Sequence, residues 1–215
     1  MKNLTLLFDM DGTVIDSTEA IMESFDAAFR AFGMGSDRLC NVSALIGYPL
    51  DEMFVKLGVE RARAQEFVGA YKAHYRTVAR QKTNLINGSK EAVEEAYKFA
   101  RLGVVTTKTS LYTKEILDHF DILKYFDTVV GREDVAHPKP HPEGILKALA
   151  LMDVKKEGAW MIGDTILDLG AGKAAGVDSI GVLCGYGKKE DLARYTHLIV
   201  KDTLEAVRYI KSLAY

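Results

Sequence analysis

Leu4-Thr5-Leu6-Leu7-Phe8 runs straight into Asp9-Met10-Asp11-Gly12-Thr13, and this junction constrains the chain more than any other stretch. Five residues rich in apolar side chains and followed by a turn dipeptide, Asp-Gly, read as a buried strand that stops abruptly. Side chains alternate along a strand, so Asp9 and Asp11 are expected on one side. Two like charges that close disfavour double ionisation unless a cation accompanies them. Such an arrangement is found where a metal binds or acid–base chemistry is done, although an acidic turn can also simply cap a strand. The rest of the chain decides between the two.

Behind Thr13 the pattern is helical. Ile21, Phe25, Ala28, Phe29 and Phe32 recur at helical spacing, Asp16 with Glu19 reads as a capping box, and Gly33 as the stop. A short helix is expected from Pro49 to Gly58, and a longer one from about Glu60 to about Gln81. No strand is expected between Thr13 and Thr83. From there the chain alternates. Strands are expected at 102–106, 128–130, 159–162, 179–183 and 197–200, with helices at 89–100, 113–120, 142–151, 165–175 and 203–213. Short apolar strands alternating with helices predict an α/β fold, a Rossmann-like parallel sheet covered on both faces. The domain reading is a core of 1–14 with 84–215 and an inserted small all-helical domain over 15–83. In such sheets ligands bind beyond the carboxyl ends of the strands, where Asp9 and Asp11 stand.

Three other strand ends carry chemistry. Val104-Val105 leads into Thr106-Thr107-Lys108, and hydroxyls with backbone N–H groups at a strand end suit phosphate. Lys139 lies in His137-Pro138-Lys139-Pro140-His141-Pro142, where alternate prolines restrain the backbone around one cation. Ile162-Gly163-Asp164-Thr165-Ile166-Leu167-Asp168 ends a strand with two acids four residues apart, able to face one way. An N-cap role for Asp164 or Thr165 explains one acid but not two. Oxygen-rich acidic sites suit Mg²⁺. Gly170-Ala171-Gly172-Lys173-Ala174-Ala175 formally matches a dinucleotide fingerprint, but it lies inside a helix rather than at the strand–helix turn. Its glycines are expected to serve close helix–sheet packing.

Together these stretches resemble the haloacid dehalogenase superfamily of phosphotransferases. The matches are Asp9-x-Asp11-Gly12-Thr13, Thr106, Lys139 in Lys-Pro-x-Pro, and Gly163-Asp164-x-x-x-Asp168, in the family's order. The helical insert is similar to the family's small helical cap. Ile46-Gly47-Tyr48-Pro49-Leu50, Val105-Thr106-Thr107-Lys108, Ala174-Ala175-Gly176-Val177 and Gly185-Tyr186-Gly187 resemble phosphoglycolate phosphatase and its relatives. Thr107 and Thr109 stand where close relatives often carry Asn and Pro, which bears on the substrate. Asp11, absent from the dehalogenases, argues for phosphoryl transfer. Thr13, often Val in the sugar-phosphate mutases, leans toward hydrolysis.

The resemblance implies a Mg²⁺-dependent phosphatase acting on a small phosphorylated metabolite such as 2-phosphoglycolate. Asp9 would be the nucleophile and Asp11 the acid–base residue. Mg²⁺ would be held by Asp9, the Asp11 backbone carbonyl and Asp164. Lys139, Thr106 and Thr107 would hold the phosphate, with Asp168 and Thr13 behind the metal site. A sugar-phosphate mutase, an inorganic pyrophosphatase and a nucleotidase are the alternatives. Four carboxylates against one Lys would leave the site strongly negative without metal.

The remaining features exclude rather than assign. Basic and acidic residues number 28 and 30 without a basic run, so neither nucleic acid nor a membrane is expected as partner. Cys40 and Cys184 are expected as free thiols in a reducing compartment. The first apolar run is too short for a signal peptide, so a cytoplasmic protein, monomer or homodimer, is expected. The Gly47-Tyr48-Pro49 turn and Arg132 are candidate substrate contacts. Arg132 and His74, His119, His137, His141 and His197 are otherwise read as structural, since none shows a metal-site or triad pattern.

Overall fold

The structure, a computed structural model, describes residues 4–213. The first three and last two residues, which the domain reading includes, lie outside the described residues. In chain order the elements open with β1 (Leu4–Phe8) and β2 (Ile15–Asp16). Helices α1 (Thr18–Ala31), α2 (Leu50–Lys56) and α3 (Ala64–Val78) follow, then β3 (Asn84–Leu85) and α4 (Ser89–Tyr97). Next come β4 (Ala100–Val105), α5 (Ser110–His119), β5 (Thr128–Val130), α6 (Glu143–Leu151) and β6 (Ala159–Gly163). The chain continues with α7 (Ile166–Ala175), β7 (Asp178–Val182), α8 (Lys189–Leu192), β8 (Ile199–Val200) and α9 (Thr203–Ser212). Two compact units result: Met1–Asp16 with Leu85–Tyr215, and Ser17–Asn84.

The first unit holds a six-stranded sheet in the order β5-β4-β1-β6-β7-β8, with every pairing parallel. Strand β1 lies between β4 and β6, so successive strands leave it in opposite directions. That reversal opens the crevice where α/β sheets bind ligands. Alternation along β1 divides its side chains between two apolar layers. Leu6 and Phe8 pack with Leu102, Val104, Trp160 and Ile162 under Val93, Ile116 and Val207. Leu7 packs on the opposite face with Met161, Ile145, Leu149 and Ala171. Both layers are buried, which makes the α/β expectation a statement about burial on two faces.

The second unit is helical and aromatic. Phe25, Phe29, Phe54, Phe67, Tyr71 and Tyr75 are buried, and the Phe25 and Phe54 rings lie 4.6 Å apart. Phe32, expected on the inner face, is half-buried and stacks against Phe67 at 4.3 Å. The expected capping box is absent. Asp16 lies in β2, Ser17 is the N-cap, and Glu19 instead binds Lys82 at 2.8 Å. The long helix is shorter than expected: the chain is extended at Glu60, Arg61–Arg63 form a 3-10 turn, and α3 begins at Ala64.

Two further differences have local causes. Strands β2 and β3 pair as a small second sheet, although no strand was expected after Thr13. Two residues are too few to show a period. Strand β4 starts two residues early, pairing Ala100 with Leu4 and Arg101 with Thr5. Arg101 hides this in the sequence, because its guanidinium is used on Asp127 and on the Met152 carbonyl.

The α7 glycines serve packing, as expected. A Cβ at Gly172 would stand 2.0 Å from Ser179 Oγ and 3.3 Å from Met161 Cβ. Gly172→Ala is therefore expected to destabilise the protein by about 1–3 kcal/mol, although Ala is the better helix former. Urea unfolding measures this. Equal or greater stability of the variant would show that helix and sheet can separate at no cost.

Candidate active site

Strand β1 ends by donating its last ladder bond, Asp9 N to the Ile162 carbonyl, at 2.9 Å. The chain then turns. Val14 N and Ile15 N both donate to the Met10 carbonyl, and Gly12 sits at φ +85. The left-handed backbone there favours glycine. The two acids expected on one side take different partners at this turn. Asp9 is 3% exposed and accepts a 2.7 Å bond from Lys139 Nζ on Oδ1. Asp11 instead pairs with Lys108 Nζ at 3.2 Å.

Lys139 is buried. Its ammonium donates to Asp9, to the Val105 carbonyl at 3.0 Å, and to Asp168 Oδ1 at 2.5 Å. Burial alone would favour the neutral amine, but Asp168 and Asp9 outweigh it and hold the Lys139 pKa above its ordinary value. Asp9 is pushed up to about 7, by burial first and by Asp168 second, with Lys139 pulling against both. Asp164 is also raised well above the carboxylate range, by burial and then by Asp168 and Asp9.

Asp164 follows β6 and is fully buried. Thr13 Oγ1 donates to its Oδ1 at 2.9 Å, and Tyr186 N donates to its Oδ2 at 2.8 Å. A Cβ on Gly12 or on Gly185 would fall 2.4 Å or 2.1 Å from Asp164 Oδ2. Two glycines therefore make the space that this carboxylate fills. Asp168 reaches back to α7's start, accepting from Thr165 N at 2.9 Å and Thr165 Oγ1 at 2.6 Å on Oδ2. Thr165 is the N-cap and Asp168 its partner, so capping accounts for this acid in part, while the same carboxylate also holds Lys139.

Carboxylate oxygens of Asp9, Asp164 and Asp168 lie within 4.8 Å of one another. Of these three buried acids Lys139 pairs with Asp9 and Asp168, and Asp9 and Asp164 have raised pKa values. A second positive charge is the chemical complement of that arrangement. An all-oxygen donor set fits a hard divalent cation. Thr106 is buried beside them at the end of β4, its Oγ1 accepting from Lys108 N at 3.2 Å. Thr107 follows, half-buried in the same loop.

These residues identify the fold family. Residues 6–182 match the haloacid dehalogenase-like hydrolase family. The chain belongs to that family. Pyrophosphatase PpaX of Anoxybacillus flavithermus is 34% identical over 195 residues, covering 89% of this chain and 88% of the relative. "Probable phosphatase IndB" of Dickeya dadantii is 33% identical over 216 residues, covering 96% and 92%. The crystal structure of a "predicted phosphatase" from Clostridium acetobutylicum superposes with a TM-score of 0.88 at 27% identity, over 99% of this chain and 100% of that one.

Lys108 is the residue that sequence reasoning missed. It stands inside the quoted Val105–Lys108 stretch, and the expected count of four carboxylates against one Lys is corrected to four against two. Its signal was the count itself, since a second acid in the first turn calls for a second cation. Backbone groups were missed for a different reason. Tyr186 N, and the Thr13 carbonyl that accepts from Thr203 Oγ1 at 2.6 Å, carry no side-chain signature. Arg132 donates to the Val135 carbonyl at 3.1 Å. His137 and His141 depart from expectation by gathering with Glu143.

Removing one partner of a buried charge set costs about 3–5 kcal/mol. Lys139→Met should lower the unfolding free energy by that order in buffer without divalent cations. Denaturant melts test it, and an unchanged midpoint would show that Asp9 and Asp168 do not depend on the ammonium.

Proposed function

We propose that this chain is a phosphatase that hydrolyses a small phosphomonoester, 2-phosphoglycolate or a similar metabolite, with Mg²⁺ bound. The observation that carries the reading is that the first turn's two acids take different ammonium partners: Asp9 is buried on Lys139, and Asp11 pairs with Lys108. One carboxylate suits attack and the other suits proton transfer. Asp9 and Asp164, with the Asp11 backbone carbonyl, would hold the Mg²⁺, and Asp168 and Thr13 orient that set from behind. When bound, the cation supplies charge neutralisation between the acids and the incoming phosphate.

Asp9 attacks the phosphorus. The new bond is from its carboxylate oxygen to phosphorus, and the bond to the leaving oxygen breaks, giving an aspartyl-phosphate. Asp11 gives its proton to the leaving alkoxide. It then takes a proton from the water whose oxygen attacks phosphorus, which frees phosphate and restores Asp9. Lys139 neutralises Asp9 and a phosphate oxygen, while Thr106 and Thr107 hold the other oxygens. The helical unit Ser17–Asn84, inserted behind the strand that carries both acids, is read as the cap that sets specificity.

A second reading, inorganic pyrophosphatase, is favoured by the relative named pyrophosphatase PpaX. Leaving-group chemistry separates the two readings. An alkoxide needs the proton from Asp11, whereas a phosphate leaving group needs it much less. Asp11→Asn removes the base of the second step for both substrates, so the first step discriminates: formation of the aspartyl-phosphate should slow about 10²–10⁴-fold with an alkyl phosphomonoester and far less with pyrophosphate, read in single-turnover kinetics. Phosphate release across both substrates, compared as kcat/KM, names the substrate class. Asp9→Asn should abolish turnover on either substrate with the fold retained, and EDTA should do the same reversibly. Near-normal turnover by Asp9→Asn would overturn the nucleophile assignment.

A further inference from the structure

The loop that delivers Lys139 inward carries two histidines outward. His137 and His141 stand two residues to either side of Lys139, and Glu143 opens α6 just beyond. His137 Nδ1 lies 2.9 Å from Glu143 Oε2, and His141 Nδ1 lies 4.0 Å from the same oxygen. The two rings are 4.7 Å apart between centroids, inclined at 38°. One donor atom from each of the three residues falls within 4.8 Å of the others.

We propose that His137, His141 and Glu143 form a second cation site, selective for a borderline-soft divalent ion of the Zn²⁺ class. The donor set decides the class. Imidazoles with one carboxylate suit Zn²⁺ and its neighbours, whereas the all-oxygen cluster around Asp9 suits a hard ion. Ligand atoms about 2.0–2.1 Å from a tetrahedral Zn²⁺ stand roughly 3.3 Å from one another. The 2.9 Å and 4.0 Å separations bracket that value, so a rotation of the exposed His141 ring that releases its bond from Glu143 N completes the set. Three protein ligands leave a fourth position for water or an added ligand.

The carboxylate is already fixed. Glu143 Oε1 accepts from Ala136 N at 2.8 Å and Oε2 from His137 N at 2.9 Å. Pro138, Pro140 and Pro142 restrain the backbone between the ligands. Capping of the loop N–H groups explains Glu143 by itself, His137 Nδ1 bonds its Oε2, and His141 Nδ1 accepts from Glu143 N at 3.3 Å, so both imidazoles are already turned toward the ligand set. The positive end of α6 opposes a cation there, and the Glu143 charge offsets it. A cation bridging residues 137 and 141 ties down the segment from which Lys139 projects.

The test reads binding rather than turnover, so it stands or falls apart from the phosphatase reading. Zn²⁺ is titrated calorimetrically into tag-free chain in excess Mg²⁺, and Co²⁺ binding is followed by visible absorption. Wild-type chain should take up one more ion than the double variant His137→Ala/His141→Ala. Loss of an outer-sphere partner alone weakens metal affinity about 10–100-fold, so each single variant should lose at least tenfold. The ring signals of His137 and His141 in NMR spectra of the wild-type chain should move together on Zn²⁺ addition, which needs no variant. Equal uptake by wild type and double variant, or histidine signals unmoved by Zn²⁺, overturns the site.

Discussion

The Lys139 ammonium, buried among Asp9, Asp168 and the Val105 carbonyl, ties the site together. It joins the end of β1, the end of β4, a proline-rich loop and the first turn of α7. A buried charge is costly unless paired and hydrogen-bonded, so each of these elements is held to the others by the need to satisfy one group. The ion set is unbalanced, however. Asp9 and Asp164 are pushed toward protonation by burial and by Asp168. A site poised in this way favours a further positive charge.

Space around Asp164 is the second constraint. Glycines at 12 and 185 leave room that a single methyl group would fill, and Thr13 and Tyr186 N occupy the carboxylate's two oxygens. The acid is thus fixed from the first turn and from the segment after β7 at once. Thr203 at the start of α9 fixes Thr13 in turn through its carbonyl. The acid is positioned by glycines, a threonine hydroxyl and a backbone N–H drawn from distant segments rather than by an ammonium.

Legibility followed side-chain chemistry. Asp9, Lys139, Asp164 and Asp168 were readable because charged residues at strand ends break an apolar pattern, and the structure gathers all four. Asp11 was readable as a residue but not as a partner of Lys108, because the alternation rule assumes an extended chain and Gly12 bends it. The Asp16–Glu19 capping box failed because the helix begins one residue later, with Ser17 as N-cap, and Glu19 pairs with Lys82, far along the chain. Strands β2 and β3 were too short to carry a period. The gathering of His137, His141 and Glu143 was read as absent because their i, i+4 and i+6 spacing matches a metal site only once the prolines have bent the loop.

By itself, the sequence determined the order of strands and helices, the two-faced burial of the sheet, and the acids and the Lys that end its strands. Those follow from hydrophobic periodicity and local turn chemistry, which act over a few residues. The tertiary structure alone decided which acid meets which ammonium. Strand order places β4 and β6 on either side of β1, and pairing across more than a hundred residues depends on that order rather than on any local pattern.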